Sequence, residues 1–345
     1  MKREKQHVTI HDLARELGIS GSTVSRALHN NPRISTATRK QVQELAASYN
    51  FYPNSMASSL RKGKGNTIGV IVPNINRSFF SNIIGGVEEI LSQSGYNLMI
   101  CQSHEMLQKE KNALLTLMNA RVDGIIMSLS METDTYDHIE SVLKRGVRMV
   151  FFDRIPDTLQ VQSVVINDYV AAYKLTENLI EQGYQKPAHI AGSANINVYA
   201  NRKQGFIDAL KKKGMPVDNP YIVEAEMTRQ GGAGAFRRLM ELPVKPDAMV
   251  CSGDLAAHGV LLAARQTGVD VPGELAITGF ANEEFTPHVS PPLTSVDQRG
   301  SEIGRKAANL FLADEPASVK RQLMIEPNIL FRESSMRSVS IENLK

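Results

Sequence analysis

The sequence VTIHDLARELGISGSTVSRAL occupies residues 8–28 and predicts two short helices joined by a tight turn. In the first helix, apolar side chains recur at helical spacing from Ile10 to Leu17. Thr9 has the side chain of a helix N-cap, and an acidic residue follows it at the third position, as in a capping box. Gly18 ends the helix. The second helix must therefore begin only a few residues later.

Ser20 is the predicted N-cap of this second helix, which Asn30, Asn31 and Pro32 end. A glycine-containing turn of this length sets two helices across each other, as in a helix-turn-helix. The outward face of the second helix is small and polar, with one long cation: Gly21, Ser22, Ser25, Arg26 and His29. Such a face fits the major groove of DNA, where Arg26 can pair with guanine. The alternative is any small three-helix bundle, which shows the same periodicity.

A third helix is predicted after Ser35, with Val42, Leu45, Ala46 and Tyr49 facing inward. Residues 1–65 carry eleven Lys and Arg against four Asp and Glu, a net charge of +7, whereas the remaining chain has a net charge of −4. A basic head on a slightly acidic body favours a polyanionic partner for the head. A basic, solvated surface without a partner is the alternative.

The whole chain has 345 residues and a composition close to that of an average globular protein. It contains no apolar run of the ~18 residues that cross a bilayer and no apolar segment typical of a secretory signal. Cys101 and Cys251 are its only cysteines, which excludes a disulfide scaffold and a cysteine-based zinc site. We therefore expect a cytoplasmic protein without a membrane partner, and the sequence indicates no metal or cofactor.

From residue 66 onward, short apolar runs alternate with helical patterns. The predicted strands are 67–72, 97–101, 123–127, 148–152, 188–191, 247–251 and 275–278. The predicted helices are about 79–94, 108–120, 136–145, 169–182, 200–213, 232–241 and 255–267. Regular alternation is typical of doubly wound parallel sheets, and this length suits two such units. The predicted fold is therefore a small all-α head followed by an α/β core of two subdomains.

The head resembles the lactose-repressor (LacI/GalR) family of bacterial transcription regulators. The residues that carry the resemblance extend over about sixty positions: Val8 to Ala14, Gly18-Ile19-Ser20, Thr23 to Leu28, and Tyr52-Pro53-Asn54. The resemblance implies DNA contacts from Thr9, Ser20, Gly21, Ser22, Thr23, Ser25, Arg26, Ser35, Asn54, Ala57 and Leu60. It also implies that residues 53–65 form a hinge helix on DNA, with Leu60 wedged between base pairs in the minor groove. The alternative for this segment is an ordinary flexible linker.

The body resembles the family's effector-binding core, which is itself similar to periplasmic sugar-binding proteins. The matching landmarks include Gly69 to Pro73, Arg202-x-x-Gly205-Phe206, Gly279-Phe280 and Pro291 to Val296. The implied domains are a head at 1–52 with its motif at about 10–29, a hinge at 53–65 and a core at 66–345. Within the core, we expect an N-subdomain at about 66–165 plus 297–325 and a C-subdomain at about 166–296 plus 326–337.

Predicted strands run directly into polar or aromatic residues, and ligands bind at the carboxyl ends of parallel strands. The candidate effector-binding residues are Phe79, Phe80, Asp153, Arg202, Asp254 and Asn282. The family places a ligand-clamping arginine at the position of Arg202, although a surface arginine is the alternative. Asp153 can accept from ligand hydroxyls or cap a loop, and one of the two phenylalanines can be plain core.

The chain departs from the family after Gly279-Phe280, where many sugar-responsive members carry an aspartate and this chain has Ala281. Either Asn282 substitutes for it, or the ligand offers fewer donors there. The resemblance implies a homodimeric repressor on a pseudo-palindromic operator, released by a carbohydrate-like effector. The alternatives are activation by a non-sugar corepressor, a solute receptor and, more distantly, an α/β enzyme. No phosphate-binding or catalytic motif in the sequence favours an enzyme.

Overall fold

The computed structural model describes residues 8–51, 65–313 and 320–337. The chain divides into two compact units after Gly65. The described part of the first unit contains three helices, α1 (Ile10–Leu17), α2 (Gly21–Leu28) and α3 (Thr36–Ser48).

The three helices of the head begin at the predicted caps. The Thr9 side chain accepts from the Asp12 amide and Asp12 accepts in return, which completes the capping box. Ser20 accepts from the Thr23 amide at the start of α2, and Ser35 caps α3 in the same way. Each cap satisfies a backbone donor that has no partner within its own helix.

The core of the head is small, and each helix contributes two buried side chains: Leu13 and Ala14, Val24 and Ala27, Val42 and Ala46. The prediction that Tyr49 faces inward is wrong. Its side chain is 44% exposed, and its hydroxyl donates to Glu16 across 2.8 Å. Tyr49 follows the last residue of α3, so its side chain reaches along the surface toward α1.

The second unit contains two six-stranded sheets. The first sheet has the order β11-β5-β4-β3-β1-β2, and all its pairs are parallel. Its strands are β1 (Thr67–Val72), β2 (Asn97–Gln102), β3 (Gly124–Met127), β4 (Arg148–Phe152), β5 (Gln162–Ile166) and β11 (Arg321–Ile325). It is flanked by helices α4 (Ser78–Gln93), α5 (Leu107–Asn119), α6 (Asp137–Lys144) and α11 (Gly300–Leu312). We call this half lobe 1.

The second sheet has the order β12-β10-β9-β8-β6-β7, with only β12 antiparallel to its neighbour. Its strands are β6 (Pro187–Ala191), β7 (Ile222–Glu224), β8 (Ala248–Cys251), β9 (Ala276–Phe280), β10 (Thr294–Asp297) and β12 (Asn328–Leu330). It is flanked by helices α7 (Asp168–Glu181), α8 (Asn197–Lys212), α9 (Arg229–Met240) and α10 (Asp254–Gln266). We call this half lobe 2.

The chain passes between the lobes three times, at residues 166–168, 297–300 and 325–328. These points lie beside the expected subdomain boundaries. Each lobe has apolar clusters of its own, centred on residues such as Val70 and Phe151 in lobe 1 and Met249 and Phe206 in lobe 2. The lobes also share a small apolar cluster, in which Met131 of lobe 1 packs against Ile196, Val198 and Tyr199 of lobe 2. A relative movement of the lobes would leave the main core of each intact and change this contact.

The structure contains elements that the apolar patterns do not predict: strands β5, β7, β10, β11 and β12, and helix α11. Strands β7 and β12 have only three residues each, and β11 is largely exposed at a sheet edge. The inner face of α11 consists mainly of glycine and alanine, which weakens its apolar signal. Within the described ranges, no helix has the length and apolar character needed to span a membrane.

Candidate functional site

The outward surface of α2 carries the polar side chains that the sequence predicts there. Val24 and Ala27 are buried, whereas Ser22, Arg26 and His29 are exposed. Arg26 forms no ion pair with any residue that the structure describes. The guanidinium group of Arg26 therefore extends from the head into solvent, on a face that is otherwise small and polar.

The predicted hydroxyl contacts occupy the helix starts. Thr9 Oγ1 donates to Asp12 across 2.7 Å, and the hydroxyls of Ser20 and Thr23 lie 2.8 Å apart. Ser35 Oγ lies 2.8 Å from the hydroxyl of Thr38. These side chains cap the helix starts and are exposed, and the N-terminus of a helix is a place where an anion such as a phosphate can bind. The predicted contacts Asn54, Ala57 and Leu60 lie outside the described residues.

A cavity of about 490 Å³ separates the two lobes at the carboxyl ends of their strands. We call it the cleft. Five of the six predicted effector-binding residues line it: Phe79, Phe80, Asp153, Arg202 and Asp254. Both phenylalanines are nearly buried, with ring centroids 5.1 Å apart, and both also belong to the core of lobe 1. They present an apolar wall, which suits the face of a ring.

Arg202 projects into the cleft from α8. Its Nε donates to Asp168 Oδ1 at 2.7 Å, and its Nη1 donates to the Ser252 carbonyl at 2.7 Å. The guanidinium carbon lies 4.2 Å from the centroid of the Phe280 ring. Nη2 makes no hydrogen bond with the described residues, so it is the part of the guanidinium group that a ligand can use.

A close approach of two helices brings Arg202 and Asp168 together. Gly205, one turn after Arg202, faces the backbone of α7, where an added Cβ would lie 2.3 Å from the Tyr169 carbonyl oxygen. Only glycine permits this approach. Asp168 is 2% exposed, and burial raises its pKa to about 6 despite the opposing effect of Arg202. Asp168 thus holds Arg202 in place from behind the cleft wall, and the sequence analysis does not predict it.

Asp153 and Arg154 directly follow β4, and both line the cleft. Asp153 has a φ of 59°, a left-handed conformation that is uncommon for aspartate. Burial raises the pKa of Asp153, and the positive charges of Arg154 and Arg202 partly offset this effect. Arg154 Nη1 donates to Glu105 Oε2 at 2.5 Å. Arg154 and Glu105 both line the cleft, although the effector set predicted from sequence includes neither.

Asp254 lines the cleft, but both of its carboxylate oxygens already have protein partners. Oδ1 accepts from the Ser295 hydroxyl at 2.6 Å, and Oδ2 accepts from the Glu283 amide at 2.9 Å. Burial raises the pKa of Asp254 to about 7. Asp254 therefore holds the loop after β9 in place, which is a different task from the predicted contact with a ligand.

The structure does not bring Asn282 to the cleft. Its Oδ1 accepts from Arg332 Nη2 at 2.8 Å and from the Thr286 hydroxyl at 3.3 Å, and it is absent from the cleft wall. Ala281 occupies that wall instead. Of the two alternatives for this departure from the family, the geometry favours an edge with fewer polar groups over substitution by Asn282.

A buried histidine supports the strand end beneath Arg202. His189 Nδ1 lies 2.8 Å from the Val250 carbonyl oxygen, so this nitrogen carries the proton, and Nε2 lies 3.3 Å from Ser252 Oγ. Burial lowers the pKa of His189 to about 3, so the ring is neutral. No carboxylate among the residues that the structure describes orients this histidine, unlike the histidine of a catalytic triad. The His189–Ser252 pair therefore fixes the backbone carbonyl that Arg202 contacts.

Polar contacts connect the lobes across the cleft at two places, around Glu283 and around Asn197. Ser78 Oγ, at the start of α4, donates to Glu283 Oε2 across 2.6 Å. Asn197 of α8 donates to the Asp153 carbonyl oxygen across 3.0 Å. Among the residues that the structure describes, no group of His, Cys, Asp and Glu is placed to hold a metal ion. The arrangement is suited to enclosing a small polar molecule between two movable halves.

Comparison with known proteins identifies both units. The family described as "bacterial regulatory proteins, lacI family" matches residues 9–54. The family described as "periplasmic binding proteins and sugar binding domain of LacI family" matches residues 65–332.

The similarity to individual proteins covers most of this chain and of each relative. Catabolite control protein A of Priestia megaterium is 35% identical over 88% of this chain and 92% of its own length. The HTH-type transcriptional repressor CytR of Escherichia coli K12 is 34% identical over 90% of this chain and 92% of its own length. The solved complex of the transcriptional regulator CelR with cellobiose has a TM-score of 0.71 at 27% identity, covering 95% of this chain and all of that one.

Proposed function

The chain belongs to the LacI family of DNA-binding transcriptional repressors with a metabolite-binding core, and we propose that a neutral, carbohydrate-like effector in its cleft controls its binding to an operator. The observation that carries the proposal is the cleft itself. It combines the apolar wall of Phe79 and Phe80 with the buried guanidinium group of Arg202, whose Nη2 makes no hydrogen bond with the described residues. The carboxylate of Asp153 adds a hydrogen-bond acceptor.

The head supplies the DNA-binding surface of the proposal. Arg26 and the hydroxyls at the helix starts form an exposed polar face on a unit whose sequence is strongly basic. In this proposal, Ser22, Ser25 and Arg26 of α2 read base edges in the major groove, while Thr9, Ser20 and Ser35 position the head on phosphates. The hinge expected at 53–65, with Leu60 in the minor groove, falls on a segment of which the structure describes only Gly65.

A homodimer is part of the proposal, because one short recognition helix makes too few base contacts to select one site in a genome. Two heads on a pseudo-palindrome double the contacts. We also propose that the protein acts in the cytoplasm and is not an enzyme.

The charge of the cleft favours a neutral effector over an anionic one. Arg154 faces Glu105 and Asp153, and Arg202 is paired with Asp168, so each guanidinium charge is already balanced. This balance counts against sugar phosphates and other anionic corepressors. The transcriptional regulator CelR, which was solved in complex with cellobiose, is an example of a relative with a neutral sugar. We propose that the effector releases the operator.

The test is reciprocal titration. An operator duplex is first selected from random pseudo-palindromes with the full chain, and ligands are found by thermal shift with sugars, sugar acids, sugar phosphates and purines. A ligand at a hundredfold its Kd should add about 2.7 kcal/mol of apparent stability. The ligand should then weaken operator binding by about 1–3 kcal/mol, and operator should weaken ligand binding equally.

Two variants complete this test. Arg202→Ala should lose ligand binding, whereas Arg237→Ala, on an exposed face of α9 in the same lobe, should retain it. Tighter operator binding with ligand would reverse the direction of control and support the corepressor alternative. Intact ligand binding in Arg202→Ala would remove this residue from the site.

A further inference from the structure

Residues 130–133 form a turn in lobe 1 that carries the apolar contact between the lobes, and we call them the contact turn. The Thr133 amide donates to the Ser130 carbonyl oxygen at 3.2 Å, which closes the turn. The two residues between them, Met131 and Glu132, line the cleft. Met131 also packs against the lobe 2 side chains at the start of α8.

One buried carboxylate holds both ends of the contact turn. Glu110 of α5 is fully buried, and its Oε2 accepts from the Ser130 amide at 2.6 Å and from the Ser130 hydroxyl at 2.8 Å. The Thr133 hydroxyl lies 3.0 Å from both carboxylate oxygens, and His138 Nε2 lies 2.8 Å from Oε1. A buried carboxylate is costly without such donors, so Glu110 and the contact turn stabilise each other.

Two further hydrogen bonds hold the middle of the contact turn. Glu132 Oε2 accepts from the Leu107 amide at the start of α5 at 3.0 Å, and the Met131 amide donates to Glu105 Oε2 at 3.1 Å. The position of Met131 is therefore set by polar groups of lobe 1. Glu110 lies outside the residues that line the cleft, so it can affect a bound molecule only through the contact turn.

We propose that Glu110 is a positioning residue, which sets the affinity of the cleft for its effector by holding Met131 against lobe 2. The inference rests on the proposed function of the cleft and deepens it by naming a residue outside the cleft that regulates the same site. The contact of Met131 with lobe 2 favours one arrangement of the lobes, and an effector that touches both lobes binds this arrangement better. Loss of Glu110 weakens the contact without removing any group that touches the effector.

The experiment compares Glu110→Ala with the wild type by calorimetry on the full chain. The probes are neutral aldoses, disaccharides and nucleosides, and the one that the wild type binds most tightly is used throughout. Glu110→Ala should bind this probe about threefold to tenfold more weakly. The control is Leu117→Ala on the same helix, which removes a fully buried side chain from the core of lobe 1 and should leave the affinity within about twofold.

A Met131→Ala background separates positioning from a general loss of structure. If Glu110 acts through Met131, Glu110→Ala should weaken probe binding no further in a protein that already carries Met131→Ala. Thr133→Val, which is nearly isosteric, removes one donor to the carboxylate and gives the same test if Glu110→Ala does not fold. Its smaller loss of affinity should likewise disappear in the Met131→Ala background.

The outcomes distinguish this inference from the proposed function. Wild-type affinity in Glu110→Ala and Thr133→Val would overturn the positioning role and leave the proposed function intact. Losses that add fully to that of Met131→Ala would also overturn it, because Glu110 would then act independently of Met131. Failure of the whole panel to bind the wild type would count against the proposed function itself, and the positioning role would fall with it.

Discussion

Arg202 and Asp168 show how one buried ion pair prepares a binding site. Asp168 is 2% and Arg202 4% exposed, and the carboxylate lies 2.7 Å from Nε. Burying two charges is costly, and the pair is tolerated because further hydrogen bonds, such as that from Arg202 to the Ser252 carbonyl, complete it. The orientation of Arg202 is therefore set before any ligand arrives.

The first prediction concerns Asp168→Asn, which removes the charge that balances Arg202. We expect the free energy of unfolding at pH 8 to fall by roughly 3–5 kcal/mol, because an uncompensated charge stays buried. Urea unfolding of the full chain measures this loss. Asp208→Asn is the matched control, since Asp208 lies on α8, is partly exposed, and accepts from Tyr169 and Gln204. Equal losses in both variants would contradict the assignment.

The second prediction uses the pKa of Asp254, which burial raises to about 7. The folded protein then holds a proton between about pH 4 and pH 7 that the unfolded chain releases. Stability from this group is therefore complete below about pH 4 and lost as the pH rises through 7, by roughly 4 kcal/mol at most.

Asp254→Asn should accordingly flatten the dependence of unfolding free energy on pH between 4 and 8, as measured by urea titrations at several pH values. Asp297→Asn, at the end of β10, should leave the profile parallel to that of the wild type. A wild-type profile that rises through pH 7 relative to Asp254→Asn would show that the carboxylate is stabilised in its charged form.

At the scale of single elements, the head shows that caps and turns position a recognition surface. Helix α2 has only eight residues and a two-residue buried face, so its start at Ser20 and its packing on α1 decide where Arg26 points. Such a short helix would not be stable alone in water. Its orientation depends on the small core that all three helices share.

The third prediction tests α2 as the reading element. Arg26→Ala should weaken binding to the selected operator by roughly 1–3 kcal/mol and relax specificity at one position of each half-site. Fluorescence anisotropy with operator and random duplexes at fixed salt measures both effects. Arg15→Ala removes the same charge from the exposed side of α1 and should weaken both duplexes alike. Equal losses on both duplexes in Arg26→Ala would make Arg26 a phosphate contact.

At the scale of the whole effector-binding core, the two lobes are joined by three chain crossings, a few polar contacts and the apolar contact of Met131 with residues 196–199. Ser78 and Glu283 are the shortest of those contacts, and Glu283 also lies 3.9 Å from Arg77. Because each lobe retains its own core, the difference between two lobe arrangements depends on such contacts and on the ligand.

The fourth prediction is that Ser78→Ala and Glu283→Ala each weaken effector binding by about 0.5–1.5 kcal/mol, because each removes a contact that holds the lobes over the ligand. The double variant should be little worse than either single one, since both changes break the same contact. Lys213→Ala and Glu181→Gln form the control pair, a surface ion pair within lobe 2 that should leave effector affinity unchanged. Fully additive losses would contradict a direct role of the contact.

Local sequence patterns determine the head almost completely. The helix caps depend on neighbours three or four residues away, so the local sequence predicts them. They are Thr9, Ser20 and Ser35, with Gly18 as the residue that ends α1. The main buried strands and helices of the core follow for the same reason. Helix α11 and strands β5, β7, β10, β11 and β12 are not predicted, because their stability comes from sheet pairing and helix packing, which apolar periodicity along the chain does not show.

The binding site depends on distances that no local pattern contains. Asp168 and Arg202 are 34 positions apart, and Glu105 and Arg154 are 49 apart. Neighbours in sequence also separate: Ala281 faces the cleft, while Asn282 turns away to Arg332. Parallel sheets bring remote strand ends to one edge, and packing then decides which side chain enters the cleft. The residue types predict what the cleft can bind, but only the folded backbone determines which of them share it.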